Sequence, residues 1–200
     1  QEELETGNPN HLMDLVKRNQ VGIDGTYRLL DNLLHWSLSQ TESLFLLPEK
    51  LKLKAIIDQV KYDFETVLAE KQIGFENQIP PDLVVWADIN SLKIAIRNLL
   101  DNAIRFTPHE GQIEFELVSV SAQAVAFSIA DSGPGIPPDQ RATLFDHPAA
   151  KKRSADTRGK VSSGLGLFLC QEFMKKNHGH ISLGPETQGT RFILEIPKPH

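Results

Sequence analysis

Leu12, Val16, Ile23, Tyr27, Leu30, Leu33 and Leu34 recur at spacings of mostly three and four. That periodicity predicts an amphipathic helix from residue 11 to about residue 41. Gly22 and Gly25 weaken its middle, and Asn10, after Pro9, suits its N-cap. A helix about 45 Å long, at roughly 1.5 Å per residue, cannot bury such a stripe alone and calls for a partner helix. A second amphipathic helix is expected over Lys54 to Lys71, on Ile56, Ile57, Val60, Phe64, Val67 and Leu68. A third runs through Leu92, Ile96, Leu99, Leu100 and Ala103 to about Phe106, with Asp88 or Asn90 as cap and Pro108 as stop. A fourth covers Leu165 to Asn177 and ends at His178-Gly179.

Between the helices the pattern shortens to strands. Leu44 to Leu53 reads as a strand interrupted by Pro48. Ile73 to Ile79 and Leu83 to Ala87 flank Pro80-Pro81. Ile113 to Val120 and Ala124 to Ala130 alternate as an antiparallel hairpin should. His180 to Gly184 and Thr190 to Ile196 close the chain around a turn. Pro137 to Ser163 has little periodicity, and so long a connection in a compact domain is usually a functional lid or disordered. The expected division is a helical arm over 1–43 and an α+β sandwich over 44–200. The sandwich is one mixed sheet with helices on one face.

Composition changes this picture little. Forty per cent of residues are hydrophobic and 24% charged, ordinary for a globular protein. A formal net charge of −5 argues against a nucleic-acid footprint. No apolar run is long enough to span a bilayer, so no membrane contact is expected of these residues. One cysteine, Cys170, makes no internal disulfide, which fits a reducing cytoplasm. The abrupt start at Gln1 reads as a fragment of a longer protein, whose remainder is compatible with a membrane sensor. The basic residues Lys151, Lys152, Arg153, Arg158 and Lys160 crowd the lid. None of the seven histidines shows metal-ligand spacing.

Three short segments carry candidate chemistry. The first is N-L-L-D-N-A-I-R-F-T at 98–107. Asn98 and Asn102 are four apart and share a helix face. A hard cation such as Mg²⁺ takes oxygen ligands, few of them from protein, and the Asn102 carbonyl supplies one without adding charge beside an anionic nucleotide. Arg105 is placed to reach a phosphate. The second is D-S-G-P-G-I at 131–136. An ionised Asp131 is a pure acceptor, suited to the exocyclic amino group of adenine. Gly133 and Gly135 permit close backbone approach. The third is G-L-G-L at 164–167, a helix opening whose free N–H groups suit phosphate, with Ser163 as a cap or phosphate contact. Each segment alone reads equally well as a polar stripe, a turn or a helix start. Together, in this order, they point to Mg-ATP. Thr190 is placed near the pocket floor, and Leu144-Phe145 reads as an apolar anchor for the lid.

The series at 98–108, 131–136, 144–145, 164–167 and 189–192 resembles the catalytic, ATP-binding domain of sensor histidine kinases, over about residues 44–197. That domain belongs to the superfamily shared by type II topoisomerases, heat-shock chaperones and mismatch-repair ATPases. The resemblance implies a Bergerat α/β sandwich, with Asn102 as the Mg²⁺ ligand and Asn98 beside it. It implies Asp131 as the adenine reader, with Gly133, Gly135 and Ile136 lining the base. Ser163, Gly164, Leu165, Gly166 and Leu167 would form the glycine turn, with Phe145 and Thr190 completing the pocket. Arg105 stands where the family usually has lysine. Asn98 occupies the place of the acidic base of topoisomerase-like relatives; an amide cannot take a proton from water, which favours kinase over ATPase.

The segment L-L-D-N-L-L-H-W-S at 29–37 is similar to the second helix of the family's dimerisation hairpin. It implies a homodimer through this arm in the full-length protein. The acceptor helix is expected outside the chain: His11 is followed by Leu12 and His35 by Trp36, not by an acidic residue. The implied activity is transfer of the γ-phosphoryl group to that histidine, for relay to the receiver domain of a response regulator. The alternative is a non-catalytic ATP-sensing or scaffold module.

Overall fold

A computed structural model describes residues 46–146, 165–185 and 188–199. The helical arm expected over 1–43 lies outside these residues, as do most of the lid, Ser163 and Gly164. Within them the chain runs β1 (Pro48–Lys52), α1 (Leu53–Tyr62), α2 (Glu65–Glu70), β2 (Gly74–Asn77), β3 (Val84–Asp88) and α3 (Ile89–Phe106). It continues through β4 (Gln112–Val120), β5 (Ala124–Asp131), α4 (Pro138–Arg141), α5 (Leu165–Lys176), β6 (His180–Leu183) and β7 (Thr190–Pro197).

Five strands form a mixed sheet in the order β2-β4-β5-β7-β6, and β1 pairs antiparallel with β3 in a small second sheet. The β2–β4 pair is parallel and the other three pairs of the large sheet are antiparallel. Alternation along the strands gives this sheet two unlike faces. Ile113, Phe115, Val125, Phe127, Ile129 and Leu194 are buried in the core with residues of α1, α3 and α5. The opposite face carries Glu116, Ser128 and Arg191. There the Arg191 guanidinium donates to Glu116 Oε2 at 2.6 Å and to Ser128 Oγ at 2.9 Å. This is the α+β sandwich with helices on one face that the pattern predicts.

Two elements differ from expectation. The helix predicted over Lys54 to Lys71 is two, α1 and α2, broken at Asp63-Phe64. At the break the Arg97 guanidinium donates to Asp63 Oδ2 at 2.7 Å and lies 5.4 Å from the Phe64 ring centroid. Local periodicity cannot register that tertiary contact. The strand near Pro48 begins at that proline instead of being interrupted by it.

The helix that matters most for the site, α3, is anchored at both ends. Asp88 is its N-cap, its Oδ1 accepting from the Ser91 N–H at 2.8 Å. At the C-terminus Thr107 turns extended ahead of Pro108. The Lys71 ammonium donates there to the carbonyls of Ile104, at 2.5 Å, and Thr107, at 2.7 Å. Those are orphan acceptors of a helix end. Helix α5 ends in a Schellman closure, with the Gly179 N–H on Met174 O at 2.8 Å and the His178 N–H on Lys175 O at 2.9 Å. The left-handed residue is His178, at φ 56°, not Gly179. Gly179 is needed for another reason: a Cβ there would lie 2.4 Å from the carbonyl of Glu195 on β7.

Candidate nucleotide site

The three motifs are far apart in sequence, yet they meet at one end of the sheet and its two long helices. Asp131 is the last residue of β5, and the ladder sets it opposite Thr190, the first residue of β7. Its Oδ1 accepts from the Gly133 N–H at 2.8 Å, an Asx turn that lifts the chain off the sheet edge. A Cβ at Gly133 would fall 2.6 Å from that oxygen and 3.0 Å from the carbonyl of Phe106, at the end of α3. Gly135 has φ 76°, and a Cβ there would lie 2.8 Å from the carbonyl of Gly189. The D-S-G-P-G turn is therefore seated between the end of α3 and the start of β7. Glycines at 133 and 135 are what let it sit there.

Beyond the turn, Ile136 packs against the core, and its carbonyl accepts from Arg141 Nε at 2.9 Å. A cleft beside it is lined by Ile136, Arg141, Leu183, Gly189 and Thr190. Phe145 sets its ring edge-on to Phe192 of β7, with centroids 6.2 Å apart and planes at 73°. Leu144 packs on the same core, so the start of the predicted lid is seated on the body of the domain.

Asn98, Asn102 and Arg105 all lie on α3 and are half-buried. The Arg105 guanidinium lies 5.3 Å from the Phe106 ring centroid. Helix α5 is described from Leu165 onward, and the glycine opening expected at Gly164 lies outside the described residues. Gly166 in its first turn faces Asn98: a Cβ at 166 would meet Asn98 Oδ1 at 3.4 Å and Cγ at 3.8 Å. Leu165 is half-buried and Leu167 packs against the core. The helix carrying the amides and the helix opened by glycines are thus in contact where each bears its motif.

Amide oxygens at i and i+4 on a half-buried face are donors of the kind a hard cation takes, with room left for phosphate and water oxygens. The residues present fit Mg²⁺ bound with a nucleotide. Among the described residues no cluster of three His, Cys, Asp or Glu side chains could hold a metal ion on its own. No described helix is long and apolar enough to cross a membrane. The sequence does hold a His–Glu pair, His109–Glu110, but it lies in the turn between α3 and β4, with Glu110 at φ 60°.

Sequence reasoning missed two structural supports of this site. Lys71, which closes the end of α3, carries no local signal, because its acceptors lie more than thirty residues away. Asn177 is read from sequence as a helix end alone. Its side chain is buried and hydrogen-bonded to the start of α3.

Comparison with known proteins agrees with the geometry. Residues 87–200 match the family described as histidine kinase-, DNA gyrase B- and HSP90-like ATPase. The adaptive-response sensory kinase SasA of Gloeothece citriformis is 34% identical over 172 residues, covering 85% of this chain and 43% of its own length. The chain thus spans about half the length of the curated relatives it matches. Among solved structures, a nucleotide-free catalytic domain of histidine kinase ThkA superposes with a TM-score of 0.64 at 29% identity. That match covers 76% of this chain and 97% of ThkA's. Full-length ShkA in complex with AMPPNP gives a TM-score of 0.71 at 25% identity, covering 92% of this chain and 38% of ShkA's. The chain belongs to the histidine kinase-, DNA gyrase B- and HSP90-like ATPase family, and carries the catalytic ATP-binding domain of a sensor histidine kinase.

Proposed function

We propose that this chain binds Mg-ATP at the end of the sheet marked by Asp131 and delivers the γ-phosphoryl group to a histidine of a dimerisation hairpin. The observation that carries the reading is the convergence of the motifs: Asp131 in register with Thr190, and Asn98 against Gly166. In this reading Asp131 accepts from the adenine amino group, with Gly133, Gly135 and Ile136 against the ring. Asn102 lends its carbonyl oxygen to Mg²⁺, and Asn98 supports it from the same face. Arg105 and the N–H groups at the opening of α5 take the phosphates. Ser163 and Gly164 serve as further nucleotide contacts, and Phe145 anchors the lid.

Phosphoryl transfer asks mostly for positioning and charge stabilisation. A metal ion held by Asn102 would neutralise charge on the phosphates; the protein's part is to hold the nucleotide and present its terminal group. The nucleophile is a neutral imidazole nitrogen of the acceptor histidine. It attacks the γ-phosphorus, the bond from phosphorus to the β,γ-bridging oxygen breaks, and ADP leaves. The histidine then passes the phosphoryl group to the receiver domain of a response regulator. The 1–43 arm pairs two copies in the full-length protein.

The test uses labelled ATP and magnesium, with this chain alone and with the full-length protein inactivated at Asn102. The expected result is acid-labile label on the added protein and none on the chain alone. Label on the chain, abolished by His11→Ala, His35→Ala or His109→Ala, would place the acceptor within this sequence. Tight Mg-ATP binding without label on either protein would favour the ATP-sensing module.

A further inference from the structure

Far from the nucleotide motifs, one buried amide ties their two helices together. Asn177 follows the last residue of α5, and its side chain makes three hydrogen bonds to neighbours. Its Oδ1 accepts from the backbone N–H of Asp88, the N-cap of α3, at 2.7 Å. Its Nδ2 donates to Ser91 Oγ at 2.7 Å and to the carbonyl of Phe173 at 2.8 Å. The Ser91 hydroxyl donates in turn to the Asp88 carbonyl at 3.1 Å. Asp88, Ser91 and Asn177 are all buried. A buried amide gains from such bonds only when every group is satisfied, so the cluster tolerates one arrangement of the two helix ends and resists sliding.

The helices run antiparallel. Asn177 meets Ser91 at one end, the Cys170 thiol donates to the Ala95 carbonyl at 3.5 Å midway, and Gly166 meets Asn98 at the other end. The midway contact is a weak donor, and Gly166 brings no side chain to hold position. The buried amide cluster at Asn177 therefore lies at the far end of this helix pair, about 16 Å along α5 from Gly166 at roughly 1.5 Å per residue.

We propose that Asn177 is a positioning residue for the nucleotide site, setting the register of α5 on α3 and so holding the glycine opening against the amide-bearing face. The inference rests on the nucleotide reading above. A rigid helix transmits an end displacement along its length, and a binding constellation tolerates about half an ångström. Loss of the Asn177 bonds therefore weakens nucleotide binding without touching any group that contacts the ligand.

The test compares Asn177→Ala with Leu68→Ala in the 200-residue chain. Leu68 is a buried core residue of α2, outside the α3–α5 pair. Affinity for Mg-ADP is measured by calorimetry below the melting range of both, together with the side-chain amide signal of Asn98 in ¹⁵N spectra without nucleotide. The expected result is that Asn177→Ala loses about tenfold in affinity and shifts the Asn98 signal. Leu68→Ala, although destabilised, stays within about twofold of the parent and leaves that signal in place. Should Asn177→Ala not fold, Ser91→Ala removes one of the same bonds and is expected to act in the same direction, more weakly. Equal affinities for Asn177→Ala and Leu68→Ala, or an unmoved Asn98 signal, would overturn the proposal. A parent that binds no nucleotide would instead overturn the reading beneath it. In that case the register claim stands or falls on the Asn98 signal alone.

Discussion

A Cβ built on Gly189 would sit 1.8 Å from the carbonyl oxygen of Asp131, so these two residues meet at a separation that glycine alone permits. Gly189 also has φ 78°, a left-handed conformation that costs little only without a side chain. The contact brings the turn after β5 onto the start of β7, where Asp131 and Thr190 are paired. Gly189→Ala is expected to destabilise the domain by at least about 2 kcal/mol, since both backbone strain and a steric clash must be relieved. Denaturant unfolding checks this, and an unchanged midpoint would contradict the close approach.

Asp131→Asn separates folding from recognition. The new amide oxygen can still accept from the Gly133 N–H, so the turn is expected to survive. The lost negative charge weakens the charge-assisted bond to adenine proposed above. Its value is about 1.5–3 kcal/mol, or roughly tenfold to a hundredfold in ATP affinity. Calorimetry with ATP and GTP on both proteins measures the effect. Equal ATP and GTP affinity in the parent would sink the adenine assignment.

Asn102→Ala is expected to weaken Mg-ATP binding at least tenfold while leaving the melting temperature within a few degrees. Its side chain is only half-buried, and its proposed work is coordination. The informative measurement is the magnesium dependence of affinity. A variant that retains the parent's magnesium response would remove Asn102 as the ligand.

Lys71→Met keeps the aliphatic stem and deletes the ammonium that closes α3. The carbonyls of Ile104 and Thr107 lose their donor. A loss of about 1–3 kcal/mol is expected on unfolding, because bonds from a charged donor exceed neutral ones. Stability equal to the parent would show that other partners suffice at that helix end.

Burial pushes the Cys170 thiol up from its ordinary range, outweighing the opposing effect of a backbone hydrogen bond. The folded protein therefore keeps a neutral, unreactive thiol, while the unfolded chain ionises near pH 8.5. A folded-state value above the unfolded one contributes stability that is fully present below about pH 8.5 and is lost as pH rises beyond it. Two results are expected: thiol reagents at pH 8 label the native chain far more slowly than the denatured one, and Cys170→Ala flattens the alkaline fall in stability. Rapid native labelling would contradict the burial.

Much of this protein is determined by local sequence. Apolar spacing and caps define α3 and α5, because an amphipathic stripe and the residues Asp88 and Pro108 act within a few positions of themselves. Glycine spacing marks the turn after Asp131 for the same reason. What only the tertiary structure decided are relationships between distant residues. One expected helix is two, α1 and α2, and Arg97 of α3 meets Asp63 and Phe64 at the break. Lys71 closes α3 from another element, and Asn177 joins two helix ends 86 positions apart in the chain. The contacts of Gly166 with Asn98 and of Gly189 with Asp131 depend on how helices and strands stack. Periodicity records which face of an element is apolar. It does not record which element that face will meet, because packing is settled by shape and hydrogen-bond satisfaction across the whole fold.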